Sequence, residues 1–270
     1  MQVSENIDFR KARELGEIIS ATFAFLLQNF KHLWTCIIYI AGPAILLTGL
    51  YSAFSQDEFR EFQETMEFSA LGHAYYVTLF LTLITTTLLS ATVYEYVALY
   101  VERGFDSFDL NDVWAGVRRN ILKFFGASVV LGVIIFFGLM FCIVPGLYFA
   151  VIFSLTYVIL VQEKMGVFEA MSRSNELVKG LWRFTAGVVI VLFLIQFVMG
   201  LVLTMPQVIV SAIANPAGID GEFVSSEMRM LEIVTSLITT VAYYLLYALP
   251  LVGFAFHYHN LVERGEERWA

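Results

Sequence analysis

The 270-residue chain is 59% hydrophobic and 16% aromatic, with only 15% charged residues and a formal net charge of −8. Soluble domains carry about 25% charged residues, so this composition, with a mean hydropathy of +0.74, excludes an ordinary soluble domain. The 16 Lys and Arg are scattered between apolar runs and form no basic cluster, which argues against a nucleic-acid partner.

Residues 6–30 read as an amphipathic interfacial helix. Leu15, Ile18, Ile19, Phe23, Leu26, Leu27 and Phe30 recur at the helical period, with Glu14, Glu17, Ser20 and Gln28 off the stripe. The segment is too charged to span and is expected to lie with its stripe among acyl chains. The first thirty residues hold no compact apolar stretch of a cleavable signal, so the first span is expected to act as the targeting signal. That span covers about 33–54, long enough at ~1.5 Å per residue to cross a hydrocarbon core of about 30 Å. Pro43, after Gly42, predicts a kink because Pro removes an intrahelical hydrogen bond. Residues 55–72 predict an acidic loop with a short surface helix around Phe59, Phe62 and Met66.

The second span, 73–101, ends in Tyr94, Glu95, Tyr96 and Tyr100, and Gly104 stops it. Asp109 is a good N-cap for a second interfacial helix, 109–123, with Leu110, Val113, Trp114, Val117 and Ile121 on one side and Arg118, Arg119 and Lys123 on another. The third span, 121–144, is expected to meet the fourth, 147–162, through a tight structural turn at Pro145-Gly146. A third interfacial helix, 166–179, carries Val167, Met171 and Val178 on its apolar side. The fifth span is 184–205, with Pro206 near its exit. A turn-rich loop follows at 215–228, and the sixth span, 231–256, is expected to kink near Pro250. The chain therefore reads as a single integral membrane domain, an all-α polytopic bundle of six spans plus three interfacial helices.

Of the 16 Lys and Arg, all but Arg60 and Arg229 flank the same ends of these spans. The positive-inside rule then places both termini in the cytoplasm. Cys36 and Cys142 fall at opposite faces, beyond the roughly 7 Å that a disulfide allows, and are expected as small buried hydrophobes.

Residues with reactive side chains are sparse. Glu95 lies near the inner end of its span, where snorkelling, a structural pair, or a ligand or proton site is open. Gln196, in the middle of the fifth span, suits a buried interhelical hydrogen bond or an intramembrane polar site. Thr82, Thr85, Thr86 and Thr87 are expected to bond their own helix carbonyls or to pack helices closely. His257 and His259, two apart, point to different sides of a helix and read as interfacial histidines rather than metal ligands. No nucleophile with a base, paired carboxylates within a span or phosphate-binding Gly loop is visible. No enzymatic activity, metal or cofactor is expected.

Pro145-Gly146-Leu147, Glu163, Gly166, Ala170, Arg173-Ser174, Leu177, Lys179-Gly180 and Trp182-Arg183 form a pattern of their own. It resembles the membrane domain fused to glycerophosphoryl diester phosphodiesterases and related stand-alone bacterial proteins. The resemblance implies a helical domain of a bacterial inner membrane. This chain has no room for the phosphodiesterase catalytic domain, so that activity is not implied. Arg173, Ser174, Lys179 and Arg183 are the candidate contacts for an anionic lipid headgroup or a partner. The expected role is a non-enzymatic module that scaffolds a membrane complex or binds or senses lipid, with membrane lipids and other membrane proteins as partners. The alternative is a small transporter or lipid-translocating protein, which requires a polar cavity between spans.

Overall fold

Apolar runs in a bilayer must satisfy every backbone group internally, and the α-helix does so within one segment. The computed structural model describes residues 6–55, 72–214 and 226–267, and the described residues are all-α. In order they form α1 (Leu15–Gln28), α2 (Phe30–Ile40), α3 (Gly42–Phe54), α4 (His73–Arg103), α5 (Leu110–Phe141), α6 (Ile143–Ile152), α7 (Thr156–Gln162), α8 (Val167–Lys179), α9 (Trp182–Ala214), α10 (Ser226–Leu246) and α11 (Ala248–Glu267). Five stretches are long and apolar enough to cross a membrane: α4, α5, α6 with α7, α9, and α10 with α11. The pair α2–α3, bent by 63°, makes a sixth when counted as one span. The surface helix expected around Phe59, Phe62 and Met66, and the loop at 215–225, lie outside the described residues.

The kink expected at Pro43 falls at Ala41, and Pro43 occupies the first turn of α3, where its missing N–H has no intrahelical partner to lose. Pro250 behaves the same way. The chain breaks at Tyr247, whose N–H is shared between the Tyr243 and Tyr244 carbonyls (3.1 and 3.2 Å), and Pro250 sits in the first turn of α11.

Three local expectations are corrected. Residues 6–14 are an irregular strap rather than helix, because Glu14 takes the N-cap and its N–H donates to Glu17 at 2.9 Å. The expected stripe is divided: Ile18 is fully buried on protein, Leu15, Ile19 and Leu26 are half-buried, and Phe23, Leu27 and Phe30 point outwards. The segments 109–123 and 121–144 are one continuous helix, α5, since residues 120–123 carry nothing that breaks it. Asp109 caps α5 as expected, its Oδ1 accepting from the Asn111 and Asp112 N–H groups at 3.0 Å each. Those donors, Asp112 first, hold its carboxyl below the usual range. Finally, the reversal between α5 and α6 is made by Cys142, exposed and in extended backbone (φ −167°), not by Pro145-Gly146. Pro145 and Gly146 lie inside the first turn of α6.

Gly146 has a packing reason to be glycine. A Cβ there would come within 2.6 Å of Leu139, and one on Gly138 within 2.9 Å of the Gly146 Cα, so the two backbones touch. Away from this hairpin α1, α4, α7, α8, α9 and α10 pack on α11, in which Ala248 to Leu261 are all buried. At Gly253 the side of α11 is flat enough for Leu192 of α9, which would meet a Cβ at 2.6 Å.

Gly146→Ala is expected to lower stability by about 1–3 kcal/mol through overpacking. Gly132→Ala, with open space around it, should stay within ~0.5 kcal/mol. Melting curves in detergent check both, and equal melting temperatures would refute the close approach.

Candidate functional site

The end of the bundle that holds the strap, the α4–α5 turn and the α7–α8 turn carries most of the basic residues, and its centre is α11. Successive α11 residues leave in different directions. His257 Nε2 pairs with Thr185 Oγ1 of α9 at 3.0 Å. The Tyr258 hydroxyl donates to Glu163 at 2.9 Å, and Arg173 Nε donates to the same carboxylate at 3.3 Å. His259 packs edge-on to Phe9 of the strap (5.6 Å). Asn260 Oδ1 accepts from the Arg13 N–H (2.7 Å) and from Arg264 Nε (3.2 Å). Both histidines are buried within the protein, at 0% and 6% exposure.

The strap is locked in by the same helix: Phe9 stacks on Phe256 at 3.9 Å, and the Ile7 N–H donates to the Tyr100 hydroxyl at 2.9 Å. Arg13 donates to the carbonyls of Phe9, Lys11 and Asp8, and burial pulls its pKa below the usual arginine value against the opposing pull of Asp8.

The four residues expected to form one headgroup site are not gathered. Ser174 is fully buried, and its hydroxyl donates to the Ile152 carbonyl at 2.5 Å, which removes it from any surface. Arg173 is paired with Glu163 and Glu176. Lys179 and Arg183 are exposed, past the end of that network.

Glu95 is 3% exposed, not snorkelling. Its Oε1 accepts from Asn120 Nδ2 at 2.6 Å, and its carboxylate lies flat on Gly116, where an added Cβ would meet Oε2 at 2.3 Å. Asn120 and Gly116 escaped the sequence reading, although their i, i+4 spacing on one face of α5 was visible. Beside this pair lies an aromatic layer. Tyr94, Phe124 and Tyr157 stack nearly parallel with centroids 5.7–6.4 Å apart. Tyr157 also donates to Ser128 (3.0 Å), which bonds Thr87 (2.9 Å).

Beyond the layer the bundle is hollow. A cavity of about 320 Å³ is lined by Thr48 and Ser52 of α3, Thr78, Thr82 and Thr86 of α4, Thr204 of α9, and Thr239, Thr240, Tyr243, Tyr244 and Tyr247. Every one of these residues carries a hydroxyl, and none is charged. Some hydroxyls are turned back: Thr86 donates to the Thr82 carbonyl (2.8 Å) and Thr48 to Ala44 (2.8 Å). The Thr78 hydroxyl is buried with no partner among the described residues. Tyr243, 43% exposed, connects the cavity with the flank of the bundle.

The helix that supplies the largest share of this lining is inverted. α10 buries Glu232, Ser236 and Thr239 and exposes Leu231, Val234 and Ile238. The polar stripe recurs every three or four residues and was legible in the sequence, but the span was read by hydropathy alone. Gln196 does not line the cavity. It is buried on α9 between Leu192, which meets Gly253, and Gly200, which meets Tyr243, and its Oε1 has no partner among the described residues.

Residues 48–217 match the model of an uncharacterised protein family, UPF0259. The chain belongs to that family. The UPF0259 match takes in α4 to α9 whole, and with them Glu95, Asn120, the aromatic layer and the α4 side of the cavity. The inverted helix α10 and the central helix α11 lie outside it. No solved structure matches the chain.

In this UPF0259 protein, Asn120→Ala strips a buried carboxylate of its donor and is expected to cost about 1–3 kcal/mol. Glu95→Gln, which keeps a hydrogen-bonded pair, should cost less. Thermal unfolding in detergent gives the order, and a harmless Asn120→Ala would mean that the pair does not matter to stability.

Proposed function

We propose that the protein is a non-enzymatic binding module of the bacterial inner membrane, which holds a neutral, polar-headed amphiphile in the hydroxyl-lined cavity. The lining carries the reading. Hydroxyls both donate and accept, so they suit alcohols, esters and amides, whereas an ion entering here would lose its hydration without meeting an opposite charge. At about 320 Å³ the cavity lies at the small end of ligand pockets, enough for a headgroup and the start of a chain. The exposed Tyr243 at its flank favours a ligand that arrives from the lipid.

The absence of any carboxylate, imidazole or amine among the lining residues favours binding over catalysis. Membrane lipids are the proposed partners, with other membrane proteins at the basic end. Kinship with the membrane domains fused to glycerophosphoryl diester phosphodiesterases is part of the same reading, supported by the motif between Pro145 and Arg183.

A translocating role is the second reading, favoured by the inverted α10. Against it stands the stacked layer of Tyr94, Phe124 and Tyr157, which separates the cavity from Glu95 and the basic end.

Mass spectrometry of lipids and small molecules retained on protein purified from native membranes tests the binding role. The wild type should enrich a neutral polar amphiphile, and Thr82→Val with Thr239→Val should reduce its retention about tenfold, the effect of losing ~1.4 kcal/mol of hydrogen bonding. Equal retention by both proteins would sink it. For topology, a reporter active only in the periplasm should stay silent after Ala270 and be active within 56–71.

A further inference from the structure

We propose that the cleft between α5 and the α7–α8 turn is a second, separate site, which binds the phosphate of an anionic lipid headgroup. Three cations converge on it. Lys123 Nζ donates to the Met165 carbonyl at 3.3 Å and so fixes the turn beside α5. Lys164 immediately precedes Met165, and Arg119 stands one helical turn before Lys123 on the same flank of α5. Further along that flank Gly126 lies against Val167, the first residue of α8. The buried Glu95 carboxylate lies against Gly116, about one turn before Arg119 on α5.

The acids nearby are occupied. Glu163 is held by Arg173 and Tyr258, and Glu169 is turned back to accept the Gly166 N–H at 2.9 Å. Arg119, Lys123 and Lys164 make no ion pair among the described residues, so Glu95 offsets only part of their charge. A phosphodiester would balance the rest through charge-assisted hydrogen bonds.

Two further observations point to a ligand borne by a lipid. Lys164 has φ +55°, a left-handed conformation unfavourable for a residue with a side chain, and it presents its ammonium at this turn. The surface beside the cations is apolar and open: Leu122 is 82% exposed and Phe168 73%. Cations beside exposed apolar side chains match a headgroup with its acyl chains alongside. Free phosphate offers the same charge but no use for Leu122 and Phe168.

The site lies across the aromatic layer from the cavity and stands independently of it. The test uses delipidated full-length protein in neutral detergent, titrated with short-chain phosphatidylglycerol, phosphatidylcholine or inorganic phosphate and read by native mass spectrometry. Phosphatidylglycerol should bind at least tenfold more tightly than phosphatidylcholine. Arg119→Gln with Lys123→Gln and Lys164→Gln should remove that preference. Lys11→Gln with Lys31→Gln and Lys179→Gln, an equal loss of charge elsewhere on the same end, should change it less than twofold. Lys164→Gly relieves the backbone while removing one cation, and should weaken phosphatidylglycerol about threefold in a protein that melts no lower than wild type. Equal losses in the two triple variants, or no preference in the wild type, would overturn the site. Displacement of the lipid by millimolar phosphate, but not by chloride at matched ionic strength, would overturn the lipid as its source in favour of the free anion.

Discussion

Helix α11 has no outside. From Ala248 to Leu261 each residue is buried, as expected of a helix apolar on every face, yet it ends in four consecutive polar side chains. Successive residues on a helix point about 100° apart, so His257, Tyr258, His259 and Asn260 cannot share one partner. A buried polar group left without a partner costs about 1–3 kcal/mol, so His257 Nε2, the Tyr258 hydroxyl and Asn260 Oδ1 draw surrounding elements to α11 in fixed positions, while His257 Nδ1, His259 Nε2 and Asn260 Nδ2 have no partner among the described residues. Thr185 brings α9, Glu163 brings the α7–α8 turn, and the Arg13 N–H brings the strap. Arg264, one turn further on, adds a bond to the Arg13 carbonyl and an ion pair to Glu14 at the start of α1, both at 2.9 Å. The packing of the basic end follows from this one helix.

What α11 does at one end, α4 does along its length. Its hydroxyls and its one deeply buried carboxylate pair outward at four levels: Thr85 with Thr48 of α3 (2.8 Å), Thr87 with Ser128 of α5 (2.9 Å), Glu95 with Asn120 of α5, and Tyr96 with Asn29 beside α1 (2.9 Å). Hydrogen bonds between helices in a membrane average well under 2 kcal/mol each. Spread over four levels, they set the rotation of α4 more than they set total stability. That rotation brings Glu95 onto Gly116 and Tyr94 into the stacked layer, and turns Thr78, Thr82 and Thr86 to the cavity.

The six-span plan, the Asp109 cap and the break near Pro43 were legible because each rests on local chemistry: run length, an N-terminal oxygen acceptor, a missing N–H. Pro145-Gly146 misled because the same pair opens a helix as readily as it makes a turn, and the choice depends on Gly138 across the hairpin. The strap was invisible for a similar reason. Residues 6–14 have little structure of their own, and their place is set by Asn260, Phe256 and Tyr100, all more than ninety residues away. Glu95 was picked out as a rare buried acid, but its partner is an asparagine and its seat a glycine, neither of which stands out alone. Arg173 and Ser174 looked like surface contacts because an amphipathic helix shows polarity, not orientation. α8 turns Ser174 inward to a backbone carbonyl of α6.

The two halves of the bundle handle polarity in opposite ways. At the basic end large polar side chains reach across to one another, and the pocket between the strap and the end of α4 is lined by charged residues, Asp8, Arg10, Glu102 and Arg103 among them. In the other half the polar residues are mostly threonines, whose hydroxyls can bond the carbonyl one turn back on their own helix, as Thr86 does. Such a residue needs no partner across the gap, so helices carrying it are not drawn together. Its side chain is also too short to close the space that a leucine would fill. α10 adds to this by exposing its apolar face and burying its polar one, which suits a span whose interior is lined rather than packed. A cavity built this way needs neither a counter-ion nor a bridging side chain to be stable.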